Sequence, residues 1–167
     1  QEANPELGLR SIRFSLKYPQ TFRQQLRAIL RAAVNTAELR LLFPLISSLD
    51  EFREARQAVQ TCLDQLRLQG VAHHQSPAMG VMVELPATLA IIDELAAESD
   101  FFAVGTNDLT QYLLGVDRAN PQVAAYYRSD HPAVLRGLNR IVEAADVAGI
   151  PVSVCGEMTH STGQLAF

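Results

Sequence analysis

Four short apolar runs, each ending in a polar tip and alternating with helix-period segments, most constrain what this 167-residue chain can fold into. Residues 39–45 (LRLLFPL), 79–83 (MGVMV), 101–104 (FFAV) and 151–154 (PVSV) are too brief for helices and are built from side chains that fit a buried strand. Residues 49–69, 87–97, 109–116 and 132–148 instead carry apolar side chains three and four positions apart; in the first of these Phe52, Ala55, Val59, Leu63 and Leu66 make the inner face. This alternation of strand, tip and helix predicts an α/β fold whose parallel sheet is covered by helices. In such folds the carboxyl ends of the strands share one face, and ligands bind there.

The remaining segments add detail. Residues 1–9 read as irregular, because Asn4-Pro5 and Gly8 argue against an early long helix. Arg10 and Arg13 follow directly, and residues 19–34 form an amphipathic helix that starts at Pro19 and buries Phe22, Leu26, Ile29, Leu30 and Ala33. Pro44 falls at the far end of the first strand, where a missing N–H costs least, and Ser47 and Ser48 are placed to cap the helix after it. A hydrophobic content of 48% is enough for one sizeable core, while 14 basic against 18 acidic residues suggests neither nucleic acid nor an anionic membrane surface as partner. No apolar run approaches the roughly 20 residues of a membrane-spanning helix, and the opening QEANPELG has no basic-then-apolar leader. Cys62 and Cys155 show no metal spacing and read as free thiols in a reducing cytoplasm, Cys62 as core or surface filler. His73, His74 and His131 have no site-like spacing with carboxylates and read as loop residues.

The chemistry lies at the tips. Pro44, Glu84, Asn107 with Asp108, and Cys155 with Glu157 are expected to converge on one cleft, with the GTNDLT tip in a strand-to-helix loop. Glu84 and Asp108 are hard oxygen ligands on neighbouring strands, a suitable pair for a magnesium ion that keeps several waters and takes its remaining oxygens from a substrate. A divalent cation also removes the repulsion between the two carboxylates. Arg10 and Arg118 offer fork-shaped donors for phosphate or carboxylate. Each residue also has a plainer reading: Asn107 and Asp108 as helix caps, Glu84 and the arginines as solvated charges, Cys155 as a buried thiol.

GTNDLTQY (105–112) followed by VDR (116–118), the preceding MVELP (82–86), the later CGE (155–157) and the opening NPELGLRSIR (4–13) resemble the phosphoenolpyruvate-utilising barrel family. That family includes enzyme I of the bacterial sugar phosphotransferase system, its nitrogen-related paralogue, pyruvate phosphate dikinase and phosphoenolpyruvate synthase. Tyr112 and the VDR run through Asn120 are more similar to the enzyme I branch. The resemblance implies a partial TIM (β/α)8 barrel in which these four strands are the fourth to seventh. By matching motifs, Glu84 and Asp108 resemble the magnesium ligands, Asn107 a phosphoenolpyruvate-binding amide, and Arg10 and Arg118 the arginines that hold substrate. Cys155 resembles the cysteine that protonates C3 of the enolate. The implied reaction is phosphoryl transfer from phosphoenolpyruvate to an enzyme histidine and then to a histidine phosphocarrier protein, releasing pyruvate.

The same resemblance implies that residues 1–167 are a fragment of one barrel domain, without the phosphohistidine domain and the remaining strands. After Met158 the family continues with Ala-Gly-Asp, whereas Thr159, His160 and Ser161 stand here. Two open strand edges lead us to expect that the chain either pairs with a second copy or is ordered only with the missing parts of the parent around it, and that alone it has no catalytic activity. The alternatives are a dikinase- or synthase-type barrel, another metal-dependent barrel lyase acting on a pyruvate-type enolate, and a non-enzymatic module that binds phosphoenolpyruvate.

Overall fold

The computed structural model describes residues 2–156 and residue 158. Among them, helices α1 (Ser11–Lys17) and α2 (Pro19–Ala32) precede strand β1 (Arg40–Phe43), helix α3 (Leu49–Leu68) and strand β2 (Ala78–Val83). Helices α4 (Pro86–Ala90) and α5 (Ile92–Glu98) lead to β3 (Phe101–Gly105), α6 (Thr106–Leu114), α7 (Pro132–Ala148) and β4 (Val152–Cys155). Short 3-10 turns occupy Pro5–Leu7 and Ala124–Tyr126.

The strands pair in parallel in the order β1-β2-β3-β4, with Leu41 opposite Met79, Val81 opposite Phe102, and Gly105 opposite Cys155. A doubly wound sheet reverses its strand order at a switch point, whereas spatial order that follows chain order throughout is the winding of a (β/α)8 barrel. The four units are thus part of such a barrel, as the sequence led us to expect.

Local chemistry explains most element boundaries. Ser48 caps α3, its Oγ accepting the Glu51 N–H at 3.2 Å, and the Glu51 carboxylate reaches back to the Ser47 N–H at 2.7 Å. His131 caps α7 by accepting the Ala133 N–H at 3.2 Å, so it has a structural role beyond that of a loop residue. Gly115, at φ 62°, ends α6 in the left-handed conformation and turns the chain toward Val116, Asp117 and Arg118.

The strands bury Leu41, Phe43, Val81, Val83, Phe102 and Val104 against Leu30, Phe52, Val59, Leu66, Leu95, Leu109 and Ile141. Phe43 meets Phe22 and Phe52 edge to face, which ties β1 to α2 and α3. Cys62 is fully buried in this core, which decides between the core and surface positions that the sequence left open.

Three local expectations are corrected. The helix read across residues 87–97 is broken at Ile91 into α4 and α5, where Ile91 leaves helical geometry at φ −121° and ψ 27°. Residues 11–17, which carried no helix assignment, form α1; its seven residues are too few for periodicity to be seen, and Tyr18 before Pro19 separates it from α2. Thr106, Asn107 and Asp108 are the first turn of α6 rather than a loop, because β3 passes into the helix at Gly105 with no connector.

Candidate functional site

Glu84 follows β2 directly and is only 4% exposed. Its Oε1 accepts the backbone N–H of Leu45 at 2.6 Å, across from the end of β1. Leu45 takes φ 61°, a conformation a bulky residue rarely adopts, and this turns its N–H onto the carboxylate. The other oxygen, Oε2, lies over Gly105, where a Cβ would come within 2.7 Å of it. Glycine at the end of β3 therefore leaves the space this carboxylate occupies.

Asp108 sits in the first turn of α6, 5% exposed, between two arginines. Arg10 Nη2 donates to Asp108 Oδ2 at 2.9 Å. Arg118 Nη1 lies 2.8 Å from Oδ1, forming an ion pair without hydrogen-bond alignment, and this buried oxygen has no hydrogen-bond partner among the described residues. Arg10 is held in turn by the Glu6 carboxylate and by the Tyr112 hydroxyl at 3.4 Å, while Tyr112 donates to the Glu6 carbonyl at 2.6 Å. The Gln111 carboxamide accepts the Arg118 N–H at 3.0 Å. The N-cap position of α6 is Gly105, so Asn107 and Asp108 stand within the helix rather than at its cap.

Cys155 ends β4. It is exposed as a residue, with its Sγ 3.2 Å from the Val104 carbonyl, and its own carbonyl accepts the Thr106 hydroxyl at 3.0 Å. Partial burial of the thiol pushes its pKa up, and the Glu84 carboxyl adds to the effect, so the sulfur keeps its proton at neutral pH. Glu84 is itself pushed up to about 7, first by burial, against the Leu45 N–H, and then by Asp108, with Arg10 and Arg118 pulling the other way.

These groups border a cleft of about 200 Å³ lined by Glu84, Gly105, Thr106, Asn107, Asp108, Arg118, Cys155 and Gly156. The structure thus brings together Glu84, Asn107, Asp108, Arg118 and Cys155, and reaches Arg10 through Asp108. Pro44 does not join them: it borders a separate cavity of about 400 Å³ between the first two helices and β1, because the left-handed Leu45 turns the chain away after β1. Glu157 and His160 lie outside the described residues. His73 is buried, with Nδ1 2.6 Å from the Val71 carbonyl, and is not among the cleft's lining residues.

The donor set suits magnesium. Among the described residues no group of three or more His, Cys, Asp and Glu side chains gathers as a cage, but magnesium asks only for one or two carboxylates plus waters and substrate oxygens. Glu84 Oε2 above Gly105 and the orphaned Asp108 Oδ1 are the oxygens such an ion would use. Sequence reasoning missed Leu45, Glu6 and the bonding of Tyr112 and Gln111. A backbone donor leaves no trace in side-chain identity, although Tyr112 and Glu6 both fall within the motifs quoted above.

A sequentially wound parallel sheet with carboxylates and arginines at its carboxyl ends has the site placement of a (β/α)8-barrel protein. The chain belongs to the family of PEP-utilising enzymes, matching its PEP-binding domain over residues 1–167. It is 45% identical over 158 residues to a phosphoenolpyruvate-protein phosphotransferase of Geobacillus stearothermophilus, covering 95% of this chain and 27% of that protein. It is 44% identical over 157 residues to the Escherichia coli (strain K12) phosphoenolpyruvate-dependent phosphotransferase system protein, covering 94% of this chain and 21% of that protein. The chain therefore spans about a quarter of the length of these relatives. Among solved structures, a citrate lyase from Burkholderia xenovorans LB400 matches with a TM-score of 0.60 at 25% identity, over 82% of this chain and 43% of that one. An HpcH/HpaI aldolase/citrate lyase family protein from Burkholderia cenocepacia J2315 matches with a TM-score of 0.58 at 20% identity, over 85% and 57%, and shows the shared fold alone.

Proposed function

We propose that this chain is the phosphoenolpyruvate-binding barrel portion of a cytoplasmic phosphoenolpyruvate-protein phosphotransferase, its strands being the fourth to seventh of the barrel. The observation that carries the reading is the placement of Asp108, in the first turn of α6, between Arg10 and Arg118 and beside Glu84, in a chain so similar to named phosphotransferases. Glu84 and Asp108 would hold magnesium. When bound, the ion would draw charge from the phosphoryl oxygens and from the enolate. Arg10 and Arg118 bind the phosphate and carboxylate of phosphoenolpyruvate, and the Asn107 amide adds a polar contact that orients it. The bond from the enol oxygen to phosphorus breaks, the phosphoryl group passes to a histidine brought from another part of the protein, and the electron pair stays on the enolate. Cys155, whose thiol keeps its proton, delivers it to C3 to give pyruvate. The phosphohistidine then passes its group to a histidine phosphocarrier protein of a sugar-transport system.

The experiment is to incubate a full-length polypeptide carrying this segment with labelled phosphoenolpyruvate and magnesium. Phosphohistidine and pyruvate are expected; aldol or lyase products would place the protein with its fold relatives instead. In the same assay Cys155→Ser should leave phosphohistidine formation largely intact while pyruvate release slows about 10²-fold or more. Pyruvate release at the normal rate would show that the proton comes from elsewhere.

For the 167-residue chain itself we propose pairing with a second copy. β1 and β4 are the edges of the sheet, and Val154 on β4 is 49% exposed. Sedimentation should show a dimer, and a folded monomer at micromolar concentration would refute it.

A further inference from the structure

Asp108 is engaged by the two arginines that the proposed function assigns to substrate. Its side chain is 6% exposed, with Arg10 on Oδ2 at 2.9 Å and Arg118 at 2.8 Å from Oδ1. Each oxygen thus has a cation against it, while neighbouring Glu84 accepts the Leu45 N–H and is left desolvated beside Asp108. The arginines are differently placed from the carboxylate they hold. Their side chains are 31% and 34% exposed and can swing toward solvent, whereas Asp108 is fixed in the first turn of a helix.

We propose that Arg10 and Arg118 form a latch on Asp108 that metal and anion open jointly; the idea rests on the function proposed above. A divalent cation that takes the unbonded lone pair of Asp108 Oδ1 comes against the Arg118 guanidinium 2.8 Å away, with Arg10 on the other oxygen, and repulsion between the like charges displaces at least one guanidinium. The released guanidinium then has unmet donors at the mouth of the cleft, where an anion is its best partner. Conversely, an anion that draws the arginines away leaves Asp108 open to the metal. The two ligands therefore favour each other through the arginines, in addition to any direct bond between them, and by linkage each tightens the other by the same factor. Glu6 and Tyr112, which hold the far side of Arg10, give that arginine somewhere to remain when it leaves Asp108.

The test is magnesium binding by a full-length polypeptide carrying this segment, measured by calorimetry with and without phosphoenolpyruvate. Arg10→Met and Arg118→Met should each bind magnesium at least about fivefold more tightly than the wild type when no anion is present, and should show a smaller tightening by phosphoenolpyruvate. Arg13→Met is the control for charge alone, since Arg13 donates to the Leu7 carbonyl rather than to Asp108; it should leave magnesium affinity unchanged. A second measurement needs no variant: in the wild-type protein, magnesium alone should speed solvent exchange of the guanidinium protons of at least one of Arg10 and Arg118. Magnesium binding that neither arginine variant tightens, tightening equal to that in Arg13→Met, or unchanged guanidinium exchange each overturns the latch while leaving the metal site standing. No magnesium binding by the wild type or either variant overturns the metal site and the latch together.

Discussion

Asp108→Ala in a full-length polypeptide is expected to lower metal-dependent turnover roughly 10³-fold. The substitution removes a proposed metal oxygen and leaves Arg10 and Arg118 facing each other with no carboxylate between them. The distortion extends further than one ligand, because both guanidinium groups would then be free to pair elsewhere or to hold the substrate anion in an unproductive pose. Glu84→Ala should reach a similar loss by a different route, removing the second oxygen donor while sparing the arginine pairing. Asp108→Glu and Glu84→Asp keep the charge and should retain part of the activity. Steady-state rates over a range of magnesium concentrations check the expectation, and unchanged activity in Asp108→Ala would sink the site assignment.

The other large effect is on stability against pH. Glu84 titrates near 7 in the folded chain, first because it is buried and then because Asp108 lies close, with the Leu45 N–H, Arg10 and Arg118 opposing the shift. An unfolded glutamate releases its proton near the ordinary 4.5. Between those values the folded state holds a proton that the unfolded state has lost, so rising pH favours unfolding. The contribution of Glu84 is fully present below the ordinary range and is lost as pH rises through about 7, a change of about 3 kcal/mol. Surface Glu98 and Asp130 shift downward beside Arg53 and Arg128, so their contributions change only at lower pH. Urea unfolding at pH 5 and pH 8.5 should show wild type losing about 3 kcal/mol relative to Glu84→Gln, with magnesium restoring stability at the higher pH. A difference between the two proteins that stays flat across this range would mean that Glu84 is solvated as an ordinary carboxylate.

Much of this architecture was legible in the sequence because the signals were local. The strands of β2 and β3 announced themselves as apolar runs, and the helix periods of α3 and α7 fixed their buried faces, down to Phe52, Ala55, Val59 and Leu66. Glu84 and Asp108 could be placed on one rim because parallel strands put their carboxyl ends together. What stayed hidden depended on backbone direction or on partners distant in sequence. Pro44 was assigned to the cleft by its position at a strand end, but the turn at Leu45 sends it to another cavity. Asn107 and Asp108 were read as loop because their polarity interrupts the apolar pattern, although polar residues in a first helical turn are compatible with helix and with the positive end of its dipole. The clasp of Glu6 and Tyr112 on Arg10 joins segments roughly a hundred residues apart, and no spacing rule reaches that far.

The left-handed turn at Leu45 bears on how such a cleft is surveyed by mutation. The donor that holds Glu84 belongs to the peptide backbone, so replacing side chains one at a time around the cleft leaves it in place, and replacing Leu45 itself changes the packing of a residue only 1% exposed without removing the N–H. An L-residue in this conformation costs about 1–2 kcal/mol, which the surrounding packing must offset. An alanine scan would therefore score position 45 as a core residue. Its part in orienting the carboxylate would surface only in changes that act on the main chain, such as an amide-to-ester exchange at that peptide bond.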